Sequence, residues 1–70
     1  MNIGNRIKYL RKKRNLTLQQ LTEITGLSTG YLSNLERNLT SPTLINLQQI
    51  CEALSINITD LLNSLPQDKI

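Results

Sequence analysis

The spacing of leucine and isoleucine constrains this chain most. Ile3, Ile7 and Leu10 recur at i, i+4 and i+7. Leu18, Leu21 and Ile24, then Leu32 and Leu35, then Leu44, Leu47, Ile50, Cys51 and Leu54 repeat at intervals of three and four. That period puts each group on one side of an α-helix and is wrong for a strand, whose faces alternate every second residue. Composition points the same way: fourteen Leu and eight Ile stand against no Val, Phe or Trp, and a strand would draw on β-branched and aromatic residues. The expected fold class is all-α, with five short helices and brief connectors.

Cap and stop residues place the boundaries. The first helix is expected from Asn2 to Arg14, ended by Asn15. Thr17 and Gln20 have capping-box spacing after the apolar Leu16, and Gly26 stops the helix they open. Ser28 is a good N-cap for a third helix running to about Arg37, and Asn38 is suited to ending it in a left-handed conformation. Ser41-Pro42-Thr43 opens the fourth helix. Asn57 caps a fifth that contains Ile58, Leu61, Leu62 and Leu65 and ends at Pro66. Residues 1–65 then form one domain and 66–70 a tail or the start of a linker. Asn15, Asn38 and Asn57 each begin an Asn-x-Ser/Thr triplet, yet each falls where a helix starts or stops, so they read as caps and turns.

With 70 residues there is room for one small domain, whose single core buries only roughly 60% of the surface the unfolded chain exposes. A second copy or a ligand would add to its stability. Eight Lys and Arg against five Asp and Glu give a net charge of +3. Six of the cations, Arg6, Lys8, Arg11, Lys12, Lys13 and Arg14, crowd one window, and no acid precedes Glu23. Both a solvated basic helix face and a phosphate-facing surface fit that cluster. Chemistry is narrowed by what is missing. There is no His, so Ser-His and Cys-His nucleophiles are excluded within this chain. Lone Cys51 permits neither an internal disulfide nor a thiolate metal cluster, and its setting is that of a small buried hydrophobe. No catalytic residues, metal or cofactor are expected. No apolar run suits a membrane span or a signal peptide, so a cytoplasmic address and no membrane partner are expected.

The second and third helices, joined through Gly26, have the helix-turn-helix layout, whose second helix can enter a DNA major groove. On a helical wheel Leu32 and Leu35 mark the buried side of the third helix, while Gly30, Ser33, Asn34 and Arg37 lie opposite. Asn34 can pair with adenine and Thr29 can bond a base or touch a thymine methyl. Gly30 permits close approach. Ser28, Tyr31, Ser33 and Arg37 suit phosphate oxygens, which position a protein without specifying sequence. From spacing alone an ordinary solvated face accounts for Thr29 and Asn34, and simple packing beside Leu27 or Leu35 accounts for the Tyr31 ring.

The run from Leu16 to Leu62, LTLQQLTEITGLSTGYLSNLERNLTSPTLINLQQICEALSINITDLL, resembles the Cro/repressor-type (XRE) helix-turn-helix family, and IGNRIKYLRKKRN before it resembles that family's first helix. Its most specific pieces are Leu21, Gly26-Leu27-Ser28, Tyr31-Leu32-Ser33, Leu35-Glu36 and the Ser41-Pro42-Thr43-Leu44 opening of the fourth helix. The resemblance implies a five-helix DNA-binding domain that usually represses transcription as a dimer on a pseudo-palindromic operator. It places Thr29, Gly30 and Asn34 at base-reading positions. Thr17, Leu18, Tyr31 and the segment from Asn38 through Thr40, Ser41 and Thr43 fall near phosphates. Two positions depart from the pattern: Leu18 stands where Gln is often found, and Gly30 removes a side chain from the reading face. Fewer direct base contacts and more dependence on DNA shape are expected. The resemblance also pairs Arg11 with Glu36 as a structural ion pair, which takes Arg11 out of the phosphate-binding cations.

The expected function is that of a sequence-specific regulator, a repressor, bound to double-stranded DNA as a homodimer. Ile58, Leu62 and Leu65 are the candidate dimer residues, with core packing as the competing role. An antitoxin-like or anti-regulator module bound to a protein partner is the alternative from another class. The chain would also serve as the N-terminal DNA reader of a longer regulator carrying a sensor.

Overall fold

The computed structural model describes residues 3–63, and among them all regular structure is helical. The helices are α1 (Ile3–Lys13), α2 (Leu18–Thr25), α3 (Thr29–Glu36), α4 (Leu44–Ala53) and α5 (Ile58–Asn63). The expected start of the first helix at Asn2, the expected end of the fifth at Pro66, and Leu65 lie outside the described residues. Arg14 belongs to a turn rather than to α1: its N–H is shared between the Leu10 and Arg11 carbonyls, and the next residue, Asn15, has already swung to φ 58°.

The boundaries follow from local chemistry. Thr17 and Gln20 form a complete capping box, each side chain accepting from the other's backbone N–H at 3.0 and 2.9 Å. Gly26 ends α2 at φ 78°, a left-handed conformation that costs glycine little. Asn38 at φ 61° does the same work after α3. Ser55, at φ 59° after α4, is a third non-glycine residue in that region, with no sequence signal beyond its place behind Leu54.

Ile7, Leu10, Leu21, Leu32, Leu35, Leu47, Ile50, Cys51, Leu54 and Leu61 make one core. It is built where α1 packs on α3 and α5, α2 on α3 and α4, and α4 on α5. Leu61, one of the expected apolar residues of the fifth helix, is fully buried in it. Ile24, Leu44 and Leu62 of the expected apolar stripes stay exposed, at 56%, 66% and 41%. Ile24 and Leu44 each lie near a helix end, Leu44 opening α4 and Ile24 next to the last residue of α2, where helices this short leave the stripe uncovered. Cys51 is buried, and desolvation pushes its thiol pKa above the ordinary value, as expected for an inert packing residue.

Candidate nucleic-acid interface

The α2–α3 corner is held by a hydroxyl as well as by Gly26. Thr25 Oγ1 donates to the Leu21 carbonyl at 2.8 Å and accepts from Leu27 N–H at 3.1 Å, which steers the chain into the N-cap Ser28. Helix α3 then has two unlike sides. Leu32, Leu35 and Glu36 are buried, while Thr29, Gly30, Asn34 and Arg37 are exposed. A Cβ built on Gly30 meets nothing within 4 Å, so the first turn is clear of neighbouring atoms. Ser33 is half-buried and so less outward-facing than the wheel puts it.

Glu36 is buried because it has a partner. Arg11 Nε donates to Glu36 Oε2 at 2.7 Å and Nη2 to Oε1 at 3.0 Å, a two-pronged pair. Arg11 Nη1 donates to the Leu16 carbonyl at 2.7 Å. All three guanidinium nitrogens thus face inward, tying the end of α1 and the turn after it to the last turn of α3. At the other end of the same helix–helix contact, Asn38 Oδ1 accepts from Gly4 N–H at 3.0 Å, and its Nδ2 donates to Asn5 Oδ1 at 3.4 Å. Asn38 therefore ends α3 and satisfies one of the free donors that open α1.

The hydroxyls named from sequence are arranged consistently. Thr17, Ser28 and Thr43 are N-caps of three successive helices, and each side-chain oxygen accepts a backbone N–H, from Gln20, Tyr31 and Asn46. A hydroxyl used as an acceptor keeps its hydrogen for an outside acceptor. Thr40 and Ser41 are exposed in the α3–α4 connector. Leu18 packs against the core and has only a backbone N–H at the start of α2 to offer an anion. The Tyr31 ring also packs against the core, and its hydroxyl oxygen accepts from Asn46 Nδ2 at 3.0 Å.

Lys8, Lys12, Lys13 and Arg14 are exposed. Arg6 and Lys13 approach the Tyr9 ring centroid at 5.2 and 5.7 Å, one turn before and after it. No group of His, Cys, Asp and Glu among the described residues is placed to hold a metal, and no helix there is long and apolar enough to cross a membrane. Asn46 and the side chain of Asn38 lie outside the residues to which the sequence points. The Thr43-x-x-Asn46 spacing was the available signal, a cap followed at the third helical position by an amide.

The sequence profile of the helix-turn-helix family HTH_3 matches residues 7–61. The immunity repressor protein of Bacillus phage phi105 is 42% identical over 59 residues, covering 84% of this chain and 41% of the relative. A structure of the biofilm regulator SinR in complex with DNA superposes with a TM-score of 0.80 at 39% identity, covering 86% of this chain and 97% of that one. A SinR protein/SinI protein complex gives a TM-score of 0.82 at 38% identity, covering 89% of this chain and 61% of that one. The chain spans about half the length of the curated relatives it matches.

Proposed function

The chain belongs to the HTH_3 helix-turn-helix family, and on that premise we propose that it is the sequence-specific DNA-binding domain of a transcriptional regulator acting as a repressor. Helix α3 enters the major groove of double-stranded DNA. Thr29 and Asn34 read bases and Gly30 lets the backbone approach them. Thr17, Ser28, Tyr31, Ser33, Arg37, Thr40, Ser41 and Thr43 contact phosphates, joined by the α2 backbone at Leu18. The observation that carries this reading is the two-sidedness of α3, with its leucines and Glu36 buried and the side bearing Thr29, Gly30 and Asn34 open. The DNA complex of a SinR chain that shares this fold supports it.

Two copies of the chain, presenting α3 to successive major grooves, bind an operator whose half-sites lie about 34 Å apart. Of the candidate dimer residues, Leu62 is 41% exposed and would contact the second copy. Ile58 is partly occupied by packing on the core, and Leu65 lies outside the described residues. The test is selection of bound duplexes from a random pool at roughly physiological salt, a condition that suppresses binding held only by phosphates. Enrichment of an inverted repeat is expected, and Asn34→Ala should then lose about 1–3 kcal/mol of discrimination at one base position. No enrichment from a folded chain overturns the reading. It would favour the second one, a protein-binding module, which the SinR–SinI complex supports.

A further inference from the structure

Four residues of α3, α4 and their N-caps form one hydrogen-bonded series at the proposed phosphate-facing rim. Ser28 Oγ accepts from Tyr31 N–H at 3.1 Å, Tyr31 Oη accepts from Asn46 Nδ2 at 3.0 Å, and Asn46 N–H donates to Thr43 Oγ1 at 3.1 Å. Three of the four are hydroxyl residues named above as phosphate contacts. The fourth, Asn46, holds two of them, Tyr31 through its side chain and Thr43 through its backbone.

The chemistry of the central bond sets a direction. A phenol hydroxyl has one hydrogen and acceptor lone pairs, whereas an amide NH2 only donates. With Asn46 Nδ2 bonded to Tyr31 Oη, the hydroxyl hydrogen cannot turn toward that nitrogen and is left for another acceptor. DNA phosphate oxygens at neutral pH are acceptors, so a group that faces them must donate. Donation from the amide also polarises the phenol O–H and strengthens it as a donor. Asn46 is itself fixed: it is half-buried in the first turn of α4, with its backbone N–H committed to the Thr43 cap. The Tyr31 ring is held against the core, so the hydroxyl has little freedom to move away.

We propose that Asn46 is a positioning residue for DNA binding: its side-chain amide turns the Tyr31 hydroxyl into a fixed donor aimed at a phosphate oxygen. The proposal rests on the DNA-binding reading above. Asn46 touches no DNA in this account and acts through Tyr31. The rim residues carry no charge, so the contact they make is a neutral hydrogen bond and releases no counterion when it forms.

The test is a double-mutant cycle on the 70-residue chain, read by binding to a random-sequence duplex about two helical turns long over a range of salt. Thermal unfolding of each variant is measured alongside. Tyr31→Phe should weaken binding about 3- to 10-fold, the worth of one hydrogen bond. The slope of log affinity against log salt should not change, since no cation is lost. Asn46→Ala should cost a similar factor in the wild-type background and close to nothing in the Tyr31→Phe background. Asn46→Asp supplies the variant that keeps the helix, because an acid is favourable in the first turn of α4. Its carboxylate accepts where the amide donates, which turns the hydroxyl hydrogen inward. Its binding loss should therefore be larger with Tyr31 present than in the Tyr31→Phe background, a difference from which the effect of the added charge cancels. Equal losses in both backgrounds, or no loss, from variants that still melt cooperatively would overturn the proposal and leave the DNA reading intact. A wild-type chain that binds no duplex would overturn the DNA reading and this proposal with it.

Discussion

Gly4 and Gly30 sit on opposite sides of α3, one on the helix that packs behind it and one on its open face, and they are glycine for different reasons. A Cβ on Gly4 would collide with the backbone carbonyl oxygen of Leu35 and come within 2.9 Å of the Glu36 carbonyl oxygen. A Cβ on Gly30 would meet nothing. The inner side of α3 is thus closed against α1 by backbone contact, by the Gly4–Asn38 bond and by the Arg11–Glu36 pair, while the outer side is left bare. Where packing explains a residue, the fold needs no further reason for it. Where packing sets nothing, as at Gly30, Thr29 and Asn34, the residues are free to serve the contact proposed with DNA.

The inner side of α3 is most vulnerable at Arg11. Arg11→Ala leaves the Glu36 carboxylate, 5% exposed, without its partner, and breaking a buried pair on one side costs about 3–5 kcal/mol. For a chain this small, which is only marginally stable, that approaches global unfolding. Urea unfolding of Arg11→Ala and Glu36→Ala should show comparable losses, and an Arg11→Met/Glu36→Leu double variant should recover most of the stability, because no charge is then stranded. If Arg11→Ala folded as well as the wild type and lost only DNA affinity, Arg11 would belong with the phosphate-facing cations, and the inner side of α3 would not be a purely structural one.

Next in size is Gly4→Ala. The added methyl has to push α1 off α3, against two backbone carbonyls that cannot rotate aside, and overpacking of this kind costs about 1–3 kcal/mol. The better helix propensity of alanine offsets part of it. A lower denaturation midpoint with unchanged DNA specificity is the expected result. A gain in stability would mean that the α1–α3 contact yields more readily than the close approach implies.

How far such features are legible in the sequence depends on whether they are local. The Thr17–Gln20 capping box, the Ser28 cap, Gly26 and Asn38 are written within a few residues, and the helices they bound are where the pattern puts them. The helical period also locates the core, except at the helix ends. It assigns Leu44 and Ile24 to the stripe, but it does not tell which turn of the stripe lies beneath a neighbouring helix. Arg11 and Glu36 lie 25 residues apart, and it is the family resemblance that names them as partners. The bonds from Asn38 to Gly4 and from Asn46 to Tyr31 join residues 34 and 15 apart. Neither leaves a periodic trace, since an exposed cap and a buried one have the same local sequence. The clearance at Gly4 is likewise a property of two helices together.

The smallest effect is the most discriminating. Gly30 occupies the second position of α3 and has an ordinary helical backbone, so Gly30→Ala removes conformational freedom from the unfolded chain without adding a clash. Where the native backbone accepts alanine, that exchange stabilises by about 0.4–1 kcal/mol. The same methyl would project from the face that is proposed to approach base edges, where it displaces a close backbone contact or presses on a thymine methyl. Gly30→Ala should therefore raise the denaturation midpoint slightly while weakening binding to the selected operator or shifting its preferred base at one position. Thermal unfolding and a repeat of the duplex selection read the two effects separately. A more stable chain with the same operator and the same affinity would mean that α3 does not come close to DNA at Gly30.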